Sequence, residues 1–305
     1  MSKKIVSEAG GTVFSLPYYV ARDEGYFADE GIDIEFVRRG GAAAGAAATR
    51  SFELVEDHHL VTSFGGPSPF EQGDTALYRA CEWGQVRRSY DSQVGGRVVS
   101  KRSAVATQAI VVRPDSPANI PQNLANVPVG VNFHHGSHYI AIQMLEGFLR
   151  REEIKVVHVA GGGRFQALRD GVVDAVAVME PWITVAQKLG YKIIAEAHYV
   201  GLEIGSLDLD PESFNAVNRA VSRAAKKITA DPYPYVHYLI ADVPPDLVSL
   251  VPADFSRNRL RYVDPAPYSP EDFERTYSWM VSWGLIEPDS SFQQLVDNRV
   301  AVSAG

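Results

Sequence analysis

His134-His135-Gly136-Ser137-His138 is the densest run of histidines in the chain. The positive end of a helix dipole disfavours an imidazolium, so a histidine just ahead of a helix start has its proton affinity lowered. His135 or His134 could then act as general base near neutral pH, or donate to a ligand. Glu82 or Glu180 would be its carboxylate partner. Two polar loop histidines facing solvent are the plain alternative. A zinc site is disfavoured: His134 and His135 are neighbours that cannot easily share one ion, and their spacing is not that of a helical His-x-x-x-His pair. His58-His59 follows Glu53, Glu56 and Asp57 and reads as solvated surface.

Three Gly-rich turns, each ahead of a helical pattern, add anion-binding chemistry. They are Gly10-Gly11-Thr12, Phe64-Gly65-Gly66-Pro67-Ser68 and the turn that ends at Gly136-Ser137-His138. Free N–H groups and the dipole at a helix start suit a negative ligand, although glycines also serve ordinary turn geometry. Arg164, behind Gly161-Gly162-Gly163, could clamp the same anion. Arg87, Arg88, Arg97 and Arg102 could neutralise it with a planar fork; a basic surface hairpin turning at Gly95-Gly96 is the preferred reading for most of them. Phe14, Phe64, Trp83, Phe133 and Trp182 could form apolar walls. The single cysteine, Cys81, reads as a small buried hydrophobe and excludes an internal disulfide or a Cys-rich metal site.

The elements that must position these residues alternate. Strands are predicted at 4–7, 32–37, 59–63, 77–85 and 106–113, with helices at 16–23 and 40–49. Past Pro114, Pro117 and Pro121 a second series begins. Its strands fall at 127–131, 155–159, 173–178 and 192–197, and its helices at 137–149, 165–170 and 181–189. Alternation at this spacing predicts parallel sheets with helices on both faces. After Gly205 the pattern is helical, at 211–229, 233–240, 245–251 and 270–283. With 305 residues, two domains are expected: an outer one, 1–112 plus 203–305, and an inserted one, 113–202. A net charge of −8 argues against a phosphate-tracking nucleic-acid binder, and no apolar run reaches the ~18 residues of a membrane span.

Four segments carry a resemblance. They are Ala21-Arg22-Asp23-Glu24-Gly25-Tyr26-Phe27 with Glu30-Gly31-Ile32-Asp33; Val111-Val112-Arg113-Pro114-Asp115-Ser116-Pro117 with Val129-Gly130-Val131; Gly136-Ser137-His138-Tyr139; and Arg169-Asp170-Gly171-Val172-Val173-Asp174-Ala175 with Glu180-Pro181-Trp182. In this order they resemble the nitrate/sulfonate/taurine type of ABC-transporter solute-binding protein, a superfamily that also holds thiamine-pyrimidine synthases and an aromatic desulfinase. The resemblance implies an α/β, type II periplasmic-binding-protein fold: two lobes, hinge strands and an interlobe cleft that closes like a flytrap. It places the three Gly-rich turns, with Gly11, Thr12, Phe64, Gly65, Gly66, Gly136, Ser137 and His138, at a small-anion cleft together with Glu180 and Trp182; Phe14, Trp83 and Arg164 join that site on their own chemistry. The desulfinase motifs are broken, with Thr12 where a nucleophilic Cys is expected and Ser63 where an Arg is expected. The Cys cluster of the pyrimidine synthases is absent too.

Lys3-Lys4 leads straight into a strand rather than an apolar signal segment. The expectation put first is therefore a cytoplasmic, cofactor-free, metal-free enzyme of lyase, decarboxylase or hydrolase type. It would act on a small, aromatic or planar carboxylate or sulfonate. The alternative is the solute-binding subunit of an ABC transporter for sulfonate, nitrate or taurine, periplasmic if an export signal has been removed, with the permease as its partner.

Overall fold

The computed structural model describes residues 2–38, 52–160 and 163–301. Its strands are β1 (Lys3–Ala9), β2 (Ile32–Arg38), β3 (Glu53–Val55), β4 (Leu77–Cys81), β5 (Arg97–Val112), β6 (Pro128–Val131), β7 (Lys155–Ala160), β8 (Ala175–Met179), β9 (Lys192–Gly205) and β10 (Arg261–Tyr262). The helices are α1 (Thr12–Asp23), α2 (Tyr26–Asp29), α3 (Glu82–Asp91), α4 (Gly136–Glu146), α5 (Arg164–Arg169), α6 (Trp182–Lys188), α7 (Pro211–Ala230), α8 (His237–Ile240), α9 (Pro270–Ser282) and α10 (Phe292–Leu295).

The strands order as β2-β1-β4-β9-β5-β8-β6-β7-β3, with β10 beside β5. Pairing is parallel from β2 through β1 to β4, and again from β8 through β6 to β7. Between these two parallel halves run the long antiparallel strands β5 and β9. Each half is thus a small α/β layer, and the two long strands tie the halves together. Ala106 and Ala109–Val112 on β5 are fully buried, the near-continuous apolar run of a strand covered on both faces.

Helix α7 shows why its sequence is helical. Asp210 caps it by accepting from the Ser213 N–H at 2.8 Å, and Pro211 sits where no N–H is needed. Phe214, Val217, Val221, Ala224 and Ile228 form its buried stripe.

Several expectations are corrected. Helix α1 starts at Thr12, so Pro17 lies inside it. A proline there cannot bond the carbonyl four residues back; the Tyr262 hydroxyl donates to that carbonyl, Val13 O, at 3.1 Å instead. Residues 59–63 form no strand but a 3-10 turn at His58–Leu60. The strand expected at 77–85 stops at Cys81 and turns into α3, so the basic hairpin is a helix followed by β5. Residues 245–251 form no helix; turns lead to a 3-10 turn at Pro252–Asp254. The helix expected at 40–49 and the pair 161–162 lie outside the described residues. Strand β3, from the N-terminal part of the chain, pairs with β7 in the far half of the sheet.

Candidate functional site

The site begins with an irregularity where β5 meets β9. Lys101 faces Leu202 and Val105 faces Val200, so three residues of β5 stand opposite the single Gly201. Such a bulge bends the strand and re-aims a side chain. Here it turns Arg102 into the interior, where it is 2% exposed. Gly201 makes the room: a Cβ at that position would lie 2.2 Å from Arg102 Nε. The bulge keeps its backbone partners through Val263 N–H, which donates to Ser103 O at 3.1 Å, and through β10.

Among the described residues, none of the three Arg102 guanidinium nitrogens has a hydrogen-bond partner. The group lies 3.9 Å over the Phe14 ring. A desolvated cation–π contact returns about 2 kcal/mol, whereas burying an ion costs several. Burial, with Arg79 nearby, lowers its pKa to about 10, so it stays charged at neutral pH. The charge balance around Arg102 therefore has room for an anion.

Its neighbour Arg79 has an ion-pair partner and hydrogen-bond acceptors for its terminal nitrogens, although its Nε makes no hydrogen bond among the described residues. Arg79 Nε lies 3.4 Å from Glu203 Oε1, both groups fully buried. The Arg79 guanidinium also donates to the Ser7 hydroxyl and, at 3.4 Å, to Glu8 O. Glu203 accepts from the Tyr18 hydroxyl at 2.8 and 2.7 Å.

Two helix starts close on this spot from opposite halves. From α1, Phe14 lies 6.1 Å from the Tyr199 ring, edge-on. At the start of α4, a Cβ on Gly136 would sit 2.3 Å from the Tyr199 hydroxyl and 3.2 Å from Cys81 Cβ. Gly11 faces across the same gap, 3.5 Å from Met179 Sδ when a Cβ is built on it. Trp83 lies 5.4 Å from Tyr199. In the first turns, Phe14 N–H donates to Gly11 O and His138 N–H to His135 O, each at 2.9 Å, whereas the N–H groups ahead of them have no carbonyl one turn back. Arg164, at the start of α5, donates from Nε to Ala177 O at 2.8 Å. Burial lowers its pKa to about 10, and Tyr199 is its opposing electrostatic neighbour.

The histidine turn is differently disposed. His134 is 2% exposed and holds a left-handed φ of 59°. Its Nε2 pairs with His58 O at 2.9 Å and its Nδ1 with the Tyr139 hydroxyl at 3.4 Å. His138 Nδ1 accepts from the His134 N–H, and His158 Nδ1 from the Phe133 N–H. Burial lowers the His134 pKa to about 4 and moves His138 well down as well. His135 caps α4, its Nδ1 2.9 Å from Phe133 O.

The structure thus gathers Phe14, Trp83 and Gly136 around Tyr199, with Gly11 against Phe14 and Met179 and with Arg164 under the electrostatic influence of Tyr199, and leaves other expected residues engaged elsewhere. The Thr12 hydroxyl donates to Asp242. Gly65 and Gly66 are exposed and give their N–H groups to Thr62. Phe64 packs 5.9 Å from the Arg88 guanidinium, which donates to His134 O at 3.2 Å, so the second and third turns do meet. The Ser137 hydroxyl accepts from Asn132 N–H. Glu82 accepts from Thr276 at 2.6 Å and Tyr268 at 2.8 Å, pointing toward α9. Glu180 accepts from Thr184 N–H and lies 3.6 Å from Arg259. Trp182 packs on Phe165. Burial pushes the Cys81 thiol up to about 11, unsuited to a nucleophile. Tyr199, Gly201, Arg79 and Glu203 were not anticipated. The one local signal was Gly201, between apolar residues just past the strand expected at 192–197; a glycine in a strand marks a bulge or a close approach.

A model described as the NMT1-like family matches residues 12–231. No curated protein matches the chain. Several solved structures share its fold. The periplasmic aliphatic sulphonate binding protein SsuA of Escherichia coli is 12% identical with a TM-score of 0.71, over 100% of this chain and 94% of that one. The alkanesulfonate-binding protein SsuA of Xanthomonas axonopodis pv. citri, bound to MOPS, is 13% identical with a TM-score of 0.64, over 98% and 95%. The desulfurization enzyme DszB is 14% identical with a TM-score of 0.61, over 97% and 96%. At these identities the likeness establishes the fold, which is of the periplasmic-binding-protein type.

Proposed function

The chain belongs to the NMT1-like family, and from that premise we propose that it captures a small organic anion, a sulfonate or carboxylate, between its two halves. The buried guanidinium of Arg102, which makes no hydrogen bond among the described residues, carries this reading. An anion beside it would supply the missing countercharge, and Arg164 and the first-turn N–H groups of α1 and α4 would complete the cradle. Phe14, Trp83 and Tyr199 give the ligand's organic part an apolar wall. Two proteins of the same fold carry sulfonate binding in their names, which supports the ligand class.

Capture is favoured over catalysis by the state of the candidate chemical groups. His134 has both ring nitrogens engaged, Glu82 and Glu180 are held by other side chains, and Cys81 is a buried thiol. Such a role calls for an ABC permease as partner and an address outside the cytoplasm.

Titration calorimetry with a panel of alkanesulfonates, taurine, aromatic carboxylates and nitrate tests this. The wild type is expected to bind at least one member, with Arg102→Met weakening it more than 100-fold and Arg102→Lys by less. Mass spectrometry of the ligand after long incubation is expected to return it unchanged. Equal affinity in wild type and Arg102→Met would remove the proposed role.

A further inference from the structure

The halves are also joined far along the chain from Arg102. Helix α9 belongs to the half built on β1, β2 and β4, since its Thr276 donates to Glu82 at the start of α3. Helix α4 belongs to the half built on β6 to β8. The two meet at Glu146, the last residue of α4. Trp279 Nε1 donates to both Glu146 oxygens at 3.1 Å, and Trp283 Nε1 donates to Oε2 at 3.0 Å. Just beyond α4, Arg151 donates to Ser282 O at 2.5 Å and lies 4.5 Å over the Trp283 ring.

An indole nitrogen can only donate, and an ionised carboxylate can only accept. One carboxylate taking two indoles is therefore a directional, charge-assisted tie. It ties nothing inside either half. A hinge motion on β5 and β9 that separated α9 from α4 would break all of these contacts together. The tie also reaches the site through a chain of rings. Trp283 lies 6.3 Å from Trp279, Trp279 lies 6.3 Å from Trp83, and Trp83 lies 5.4 Å from Tyr199.

We propose that Glu146, Trp279, Trp283 and Arg151 form a latch that holds the halves closed and thereby sets how long an anion stays bound. The residence-time part rests on the proposed capture function; the latch itself does not. Glu146, Trp279 and Trp283 are positioning residues, with no contact to Arg102 or Tyr199 required of Glu146.

The test compares wild type, Glu146→Ala, Trp283→Phe and Arg102→Met. The unliganded proteins are read by small-angle scattering and tryptophan emission, and anion release is read by stopped flow with the tightest ligand of the panel. Glu146→Ala is expected to keep the far-UV dichroism of the wild type, to enlarge the radius of gyration and to shift the emission to the red. It is also expected to release the anion at least fivefold faster with little change in association rate. Trp283→Phe, which keeps a ring for Arg151 but loses one donor, should lie between. Arg102→Met should lose binding while leaving the radius of gyration of the wild type. If no anion binds the wild type, the scattering and emission of Glu146→Ala still decide the latch. A radius of gyration and an emission maximum unchanged in Glu146→Ala would overturn it. So would unchanged scattering with a release rate within twofold of wild type.

Discussion

The turn at 133–138 and the bulge at 102–104 teach opposite lessons about chemistry. The turn is crowded with histidines, yet His134 is engaged at both ring nitrogens, and His138 and His158 each accept from a backbone N–H. The bulge contributes one arginine from an ordinary-looking strand, and that arginine has no hydrogen-bond partner among the described residues. Residue type announces what a side chain could do. Its partners decide whether it is free to do it. A satisfied group is structure, whereas an unsatisfied buried charge points to something that arrives later.

The contrast can be broken most severely at the two buried arginines. Arg79→Met takes the ion-pair partner from Glu203, which keeps the Tyr18 hydroxyl, and removing one partner of a buried ion pair costs about 3–5 kcal/mol. Arg102→Met removes a charge that makes no hydrogen bond among the described residues, so its unliganded form should unfold at or above the wild-type denaturant midpoint. Equal destabilisation by the two substitutions, measured in urea, would erase the difference between them.

A smaller effect is expected at Gly201. A Cβ there meets Arg102 Nε at 2.2 Å and Ala80 O at 2.5 Å, so Gly201→Ala must displace both. Overpacking of this kind costs roughly 1–3 kcal/mol, and anion affinity should fall with it. Combining it with Arg102→Met should relieve only the side-chain share, because the Ala80 carbonyl remains. Strict additivity in a double-mutant cycle would contradict the close contact.

An effect that is nil at neutral pH and grows only in acid sharpens the other region. His134 is held neutral, its pKa lowered to about 4 by burial, and His138 is lowered too. Below about pH 6.5 the unfolded chain binds protons at these positions that the folded chain does not. Stability should therefore fall as pH drops from 6.5 toward 4, by up to about 1.4 kcal/mol per pH unit for each such histidine. Glu82 and Glu180, raised by burial, work in the opposite sense near their own pKa values. The histidine share is thus the difference between wild type and His134→Asn, a residue that tolerates a left-handed φ. Parallel melting-temperature profiles of the two between pH 7 and 5 would contradict it.

Much of the scaffold was legible in the sequence. Ile32 and Ile34 alternate with Asp33 and Glu35, and β6 to β8 are compact apolar runs, so period and length gave those strands. Helix α3 was not legible, because its buried face is partly Gln85, Arg88 and Ser89 and carries no apolar period. The start of α1 was hidden by Pro17, whose missing hydrogen bond is compensated by Tyr262 from far along the chain. Of the site, Gly11, Phe14, Trp83, Gly136 and Arg164 could be named from turn chemistry and aromatic character. Arg102 could be named only as one basic residue among four. Its isolation depends on a bulge, on Gly201 across the sheet and on Glu203 pairing with Arg79, and all three are long-range facts.

A crystal structure of the protein with its tightest anion tests the central claim most directly. The anion's oxygens should lie within about 3 Å of the Arg102 guanidinium, between the starts of α1 and α4. An anion bound elsewhere, with Arg102 still bare over Phe14, would contradict it.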